Sequence, residues 1–402
     1  MMQAVTASRV LTTNLQDHLG DWIRRGDIAG GIILVSQGDD IIAHVAMGAD
    51  GSADDVQLQP DSCFCVASLT KVVTAAAACQ LIAQGKLDPY APLSHYIPQF
   101  ATLPQVRRLK RGASYPPLHL APGDPPGGMP EFDVTPARRT IAVRDIMNFT
   151  SGLHSIGLPN PSLPLTAPDD SIASYVAKLP EAHLDFDPGS RWAYSSATGY
   201  EVLARLVEIA ADMPFADYCA ELLFEPLDMK DSCFGLQPRI ASKLADRKAL
   251  ASPRTVRTDY ASGSAGLFTT AADYARFGRM LLGQGMFEGR KILLPAAVDL
   301  MRTNQIGDLI FPGLDMADFW LGSSYSQPGL RYGYGVLIVE DCAAAGIAVP
   351  SGSYGWDGIG TRRLWVMPAL DAVLVILMPG AGHGVAPLHR AIERIVVDAL
   401  SG

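Results

Sequence analysis

Ser68 and Lys71 stand three positions apart at the head of Val72 to Gln84, a run rich in alanine and other good helix formers. Residues i and i+3 share a helix face, so this spacing brings a hydroxyl and an amine within hydrogen-bonding reach. A serine hydroxyl is a weak nucleophile until a base takes its proton, and a lysine can be that base if burial penalises its ammonium form. Cys63, Phe64, Val66, Ala67, Val72 and Val73 supply an apolar setting of that kind. The helix N-terminus favours negative charge developing beside Ser68. The chemistry on offer is acyl transfer through a covalent serine intermediate. Ser-x-x-Lys occurs once in the chain, but serine and lysine are common, so the motif needs partners.

Two later segments can supply them. Pro188-Gly189-Ser190-Arg191-Trp192-Ala193-Tyr194-Ser195-Ser196 leads into an amphipathic run carrying Tyr200, Leu203, Leu206 and Val207. A tyrosine on a turn before a helix can project its phenol into a cleft, and a neighbouring lysine can lower its pKa toward a useful range. Taken alone, Tyr194 reads equally as a half-buried structural tyrosine. Tyr354-Gly355-Trp356-Asp357-Gly358-Ile359-Gly360 precedes a strand-like run. Its glycines allow close backbone approach to a substrate, and a free N–H at a strand edge can hold an oxyanion. The alternative there is a plain turn.

These residues need a frame. Thr12 to Arg25 has Leu15, Leu19, Trp22 and Ile23 at helical spacing, and the apolar runs Gly31 to Ser36 and Ile41 to Met47 flank a Gln37-Gly38-Asp39-Asp40 turn. Near the other end, Tyr334 to Val339, Arg363 to Met367 and Ala372 to Leu377 read as strands, and Pro387 to Leu400 as a closing amphipathic helix. Between them lie helical patterns at Thr70 to Gln84, Ala142 to Phe149, Gly199 to Ala211, Phe215 to Leu223, Ala271 to Leu282 and Pro295 to Arg302. We therefore expect an α/β domain from residues 1–66 and 325–402, whose antiparallel sheet is built from both chain ends. A mainly helical domain, 67–324, is inserted into it and carries Ser68 and Tyr194. Pro104 to Pro136, with Arg107, Arg108, Lys110 and Arg111, and Pro159 to Asp170 read as loops.

Composition narrows the function. At 402 residues, 48% hydrophobic and 18% charged, the chain is that of an ordered globular protein. A net charge of −9 opposes nucleic-acid binding, and no apolar run is long enough to span a bilayer. Small molecules are the expected partners. Six cysteines without a Cys-x-x-Cys pair suit reduced core thiols. With no basic and apolar leader at the N-terminus, the expected location is cytoplasmic. No Gly-x-Ser-x-Gly, P-loop, dinucleotide or His-Glu-x-x-His pattern occurs, so no cofactor or metal is expected, and His383 is the one histidine in a glycine-rich loop.

The order of the three motifs resembles the serine β-lactamase and penicillin-binding-protein group, and within it the class C β-lactamase-related, or family VIII, esterases. The likeness extends to Asp145-Ile146-Met147-Asn148-Phe149-Thr150-Ser151-Gly152-Leu153, to Leu223-Phe224-Glu225-Pro226-Leu227-Asp228-Met229-Lys230, and to Ala265 through Tyr274. It implies a β-lactamase-like fold, α/β plus all-α. It also implies Ser68 as the acylated nucleophile, Lys71 and Tyr194 as proton-transfer groups, and the backbone N–H groups of Ser68 and Ile359 as oxyanion hole.

Two departures bear on the substrate. The group's tyrosine motif ends in an asparagine that contacts the acyl amide, where this chain has Ser196. Its strand carries Lys-Thr-Gly, whose cation helps hold a substrate carboxylate, where this chain has Trp356-Asp357-Gly358. Ser196, Trp356, Asp357 and Gly358 are the expected substrate-facing residues, and the tryptophan favours an apolar acyl or alcohol group. Arg362 or Arg363 can restore an anion contact, or be a solvated strand-end charge. The expected activity is a carboxylesterase on small acyl esters. D-Amino acid amidase or peptidase, β-lactamase and acyltransferase activities stay open within the same chemistry. A penicillin-recognising sensor or binding protein is the alternative of another class.

Overall fold

The computed structural model of the protein describes residues 2–52, 54–112, 131–155, 160–245, 253–309, 311, 328–380 and 386–402. Gly30–Gln37 (β1) and Asp40–Gly48 (β2) form the expected hairpin, turning through Gly38 at a φ of +54°, a left-handed conformation that suits glycine. From the far end of the chain come Leu330–Tyr332 (β3), Leu337–Val339 (β4), Tyr354–Gly358 (β5), Arg362–Met367 (β6) and Ala372–Leu377 (β7). All seven make one antiparallel sheet in the order β3-β4-β5-β6-β7-β1-β2. Ile33 lies opposite Ile376 and Val35 opposite Leu374, so both chain ends meet in the middle of the sheet. β6 and β7 are buried along their whole length, which is why they read as continuous rather than alternating apolar runs.

Five helices bear on the site: Met2–Arg24 (α1), Thr70–Ala83 (α2), Gly199–Ala211 (α3), Ala271–Leu282 (α4) and Ala386–Ser401 (α5). α1 and α5 pack together, and α1 covers β2. α4 lies on β1, β6 and β7. Its Gly278 permits the approach, because a Cβ there would stand 2.6 Å from Val373 Cγ1. α2 is buried from Thr70 through Cys79, with α3 and Pro295–Arg302 against it. Among the described residues no helix is long and apolar enough to cross a membrane.

Several elements differ from the sequence reading. The ends of the expected loop Pro104 to Pro136 pair as strands, Gln105–Leu109 with Phe132–Pro136. Their charge hid them: Arg107 is buried and ion-paired with Asp185 at 2.5 Å, so an inward position carries a guanidinium. The expected strand Tyr334 to Val339 is strand only from Leu337, because the chain turns through Gly335 at a φ of +77° after the unanticipated β3. Phe215 to Leu223 begins as an α-helix, Phe215–Cys219, and widens to a π-turn over Ala220–Phe224. Three two- or three-residue strands, Phe64–Cys65, Leu267–Thr269 and Cys233–Phe234, form a small sheet beneath the start of α2. None of the six cysteines is in a disulfide. His383 lies outside the described residues.

Behind β5 and β6, the Arg363 guanidinium makes two 2.7 Å bonds to Asp357 and one of 2.5 Å to Glu393 of α5, which also accepts from Trp365 Nε1 at 2.7 Å. All four side chains are buried. Removing one partner of such a network leaves an uncompensated buried charge, which is far costlier than never having built it. Glu393→Ala is expected to destabilise the fold by about 3–5 kcal/mol, measured by chemical denaturation, and Glu393→Gln by less.

Candidate active site

The strand Phe64–Cys65 runs into a 3-10 turn, Ala67–Leu69, which continues as α2. Ala67 sits at a φ of +47°, a left-handed conformation that costs a residue with a Cβ about 1–3 kcal/mol. The bonds around it hold the strain. Val66 N–H donates to Leu267 O at 2.9 Å, Tyr274 OH donates to Leu69 O at 2.8 Å, and Thr70 Oγ1 accepts from Leu267 N–H at 3.1 Å. Ser68 is thereby lifted to the end of the helical run.

Lys71 is fully buried, at 0% exposure. Its Nζ lies 3.1 Å from Ser68 Oγ, 2.7 Å from Ser196 O and 2.8 Å from Ser264 O. Burial brings its pKa down to about 7, while the carboxylate of Glu201 acts in the opposite direction. A neutral amine has two N–H donors and one lone pair. With the two carbonyls taking the donors, the lone pair is left for the Ser68 hydroxyl. The arrangement can abstract the serine proton near neutral pH.

Tyr194 OH donates to the same Ser68 Oγ at 2.6 Å. Burial pushes its pKa above the ordinary phenol value, and the hydrogen bond to Ser68 only partly offsets this. The expectation of a lowered phenol pKa is therefore corrected, since desolvation of the phenolate outweighs its neighbours. A phenol that keeps its proton is suited to donate one. The ring is fixed by aromatic packing, with Phe149 edge-on at 4.9 Å and Trp356 at 5.5 Å.

The strand motif divides between two faces. Successive side chains of a strand point to opposite sides, so Trp356, Asp357 and Gly358 cannot all face one site. Trp356 and Gly358 are on the side of Ser68. A Cβ on Gly358 would overlap the Val66 carbonyl oxygen, so glycine is what lets β5 close on the nucleophile turn. Asp357 points the other way, to Arg363. Its expected role at the substrate is corrected to one in the network beneath α5. The Trp356 ring is 3% exposed, against Tyr194, Phe149 and Tyr332, so it backs the tyrosine rather than presenting a broad apolar wall. Neither arginine is a solvated strand end: Arg363 is in the network, and Arg362 donates to Ile359 O. Ile359 is 44% exposed, just beyond Gly358. Ser196 is placed at the site through its carbonyl.

Four contributors carry no sequence signature. Ser264 offers only a backbone oxygen. Glu201 lies in a run otherwise read by its apolar residues, and Ser262 and Tyr260, both hydrogen-bonded to Glu201, come from a segment without a motif. Only the fold brings them to Lys71. Among the described residues no group of three His, Cys, Asp or Glu is arranged to hold a metal ion.

Comparison with known proteins identifies the family and the fold. The profile of the family described as Beta-lactamase matches residues 11–397. Protein Rv1367c of Mycobacterium tuberculosis is 28% identical over 378 residues, covering 88% of this chain and 86% of its own length. Esterase EstB of Burkholderia gladioli is 24% identical over 409 residues, covering 93% and 92%. The solved structure of EstCE1, a hydrolase with promiscuous acyltransferase activity, shares the fold with a TM-score of 0.74 at 20% identity, covering 99% of this chain and 100% of that one.

Two outcomes test the geometry. Below the Lys71 pKa the amine is protonated and has no lone pair, so Ser68 reactivity should rise with pH through a limb at about 7, read as the rate of fluorophosphonate labelling. Gly358→Ala should lower that rate by about 100-fold, the cost of displacing one oxyanion donor, while circular dichroism stays as in the wild type.

Proposed function

The chain belongs to the beta-lactamase family of serine hydrolases, and from that premise we propose that it is a carboxylesterase cleaving small acyl esters through an acyl-enzyme on Ser68. The observation that carries the proposal is the convergence of Lys71 Nζ and Tyr194 OH on Ser68 Oγ, at 3.1 Å and 2.6 Å. Neutral Lys71 takes the Ser68 proton as Oγ bonds to the ester carbonyl carbon. The oxyanion is received by the backbone N–H groups of Ser68 and Ile359. As the C–O bond to the leaving alcohol breaks, Tyr194 gives that oxygen its proton and is restored by the Lys71 ammonium. Water then attacks the acyl-enzyme with the proton transfers reversed, freeing the acid and Ser68.

The preference for esters over β-lactams rests on what stands where a substrate carboxylate would be held. Trp356 occupies the position of the group's lysine, and the guanidiniums of Arg362 and Arg363 are turned to Ile359 O and to Asp357 with Glu393. Ser196 in place of asparagine lacks the side-chain amide that recognises an acyl amide. The relative named Esterase EstB supports the same reading. Thiols outside any disulfide support a reducing, cytoplasmic location. The division into a sheet domain, 1–66 and 325–402, and a domain 67–324 carrying Ser68 and Tyr194 is part of this proposal.

A panel of p-nitrophenyl acyl esters, D-amino acid amides and nitrocefin tests the assignment. We expect turnover of short-chain esters to exceed that of nitrocefin and the amides. Ser68→Ala should lose activity to background, and Tyr194→Phe should lose about 10²–10⁴-fold, the usual worth of a positioned proton donor. Wild-type ester turnover by Ser68→Ala, or a lasting penicillin adduct on Ser68 without ester turnover, would contradict the proposal.

A further inference from the structure

Glu201 is a carboxylate at 1% exposure, near the start of α3, and nothing in the reaction just described uses it. Burying a charge is costly unless hydrogen bonds compensate it. Its partners are two hydroxyls and an amide rather than a cation. Oε1 accepts from Ser262 Oγ at 2.5 Å and from Ser264 N–H at 3.3 Å, and Oε2 accepts from Tyr260 OH at 3.0 Å. All three donors belong to one loop.

That loop faces α2 with its carbonyls. Gly263 O accepts from Thr74 Oγ1 at 2.8 Å, and Ser264 O accepts from Lys71 Nζ at 2.8 Å. Gly263 is pressed onto α3 so closely that a Cβ would stand 2.5 Å from Tyr200 O. The carboxylate thus gathers the loop's donors on one side, and the loop presents one of the two oxygens that orient the Lys71 amine on the other. We infer that Glu201 is a positioning residue of the Ser68 site, bracing the Ser262–Ser264 loop against Lys71. This rests on the proposed serine chemistry.

The charges around α3 leave Glu201 as the group that acts on Lys71. α2 contributes Lys71 itself and the buried Cys79 thiol. From the helix Val143–Met147 comes Asp145, paired with Arg139, and from Ile172–Lys178 comes Lys178, paired with Asp170. Arg205 and Glu208 of α3 pair with each other, Asp217 of Phe215–Cys219 is exposed, and Arg257, over the Tyr260 ring, is paired with Asp259. Tyr194, Tyr200 and Tyr332 are buried phenols pushed above their ordinary values, so they stay neutral. The Glu201 carboxylate favours the Lys71 ammonium against the burial that disfavours it. Removing the charge while keeping the shape should let Lys71 lose its proton at lower pH.

The test is the rate of Ser68 labelling by a fluorophosphonate from about pH 5 to about pH 9 in the wild type, Glu201→Gln, Ser262→Ala and Lys71→Ala. Glu201→Gln should move the acid limb to lower pH by roughly one unit, the low end of what losing a nearby opposite charge is worth. Ser262→Ala keeps the carboxylate and loosens the loop, so its plateau should fall several-fold with the limb in place. A purely structural Glu201 would lower the plateau without moving the limb. A limb that stays, or moves to higher pH, in Glu201→Gln overturns the inference while leaving the serine chemistry intact. If the wild type is not labelled at Ser68, or the limb survives in Lys71→Ala, the serine reading fails and the inference with it. Should Glu201→Gln not fold, Ser262→Ala decides the brace: an unchanged plateau overturns it.

Discussion

A primary amine held out of water governs the rest of this structure. Lys71 is neutral near pH 7 only if its ammonium is penalised, and that requires α2 to run through the middle of the protein rather than along its surface. Burial in turn demands that every N–H of the amine be satisfied. The two carbonyls that do so come from distant parts of the chain, one at the end of the tyrosine motif and one from the loop before α4. The alanine-rich face of α2, the strained turn at Ala67 and the small sheet under it all keep Ser68 and Lys71 in register while excluding solvent.

The environment also separates the two proton carriers. Burial acts on both in the direction of neutrality, bringing the lysine down to about 7 and the tyrosine up. One neutral group has a lone pair to accept with, and the other has a proton to give. Both meet at Ser68 Oγ. The low dielectric that creates this difference also strengthens the hydrogen bonds that Ser68 Oγ makes with both.

On the third side, the sheet closes the site by backbone approach. Strand geometry divides β5 into a face toward Ser68, Trp356 and Gly358, and a supporting face, Asp357 with Arg363, Trp365 and Glu393. The supporting face holds the strand through α5, and the glycine lets it come up to the nucleophile turn. The same division turns the one charge of β5, Asp357, away from Ser68.

How much of this was legible in the residues follows from the range of each interaction. Ser68 and Lys71 are three positions apart, so helical periodicity alone relates them, and the apolar runs at both ends of the chain announce strands. Tyr194 and the glycine-bearing strand could be found by type and order, though not by geometry. The strands within 105–136 escaped because a buried ion pair puts Arg107 where an apolar residue is expected. Asp357 was misplaced because three consecutive letters were read as one motif, whereas the pleat sends the middle one to the opposite face. Sequence by itself determined the pairing of Ser68 with Lys71 and the sheet's origin at both chain termini, because those depend on local spacing and hydrophobic pattern. Only the tertiary structure decided which carbonyls hold Lys71, that Tyr194 keeps its proton and that Glu201 holds the loop carrying one of those carbonyls, because desolvation and long-range hydrogen bonds exist only once distant segments are packed together.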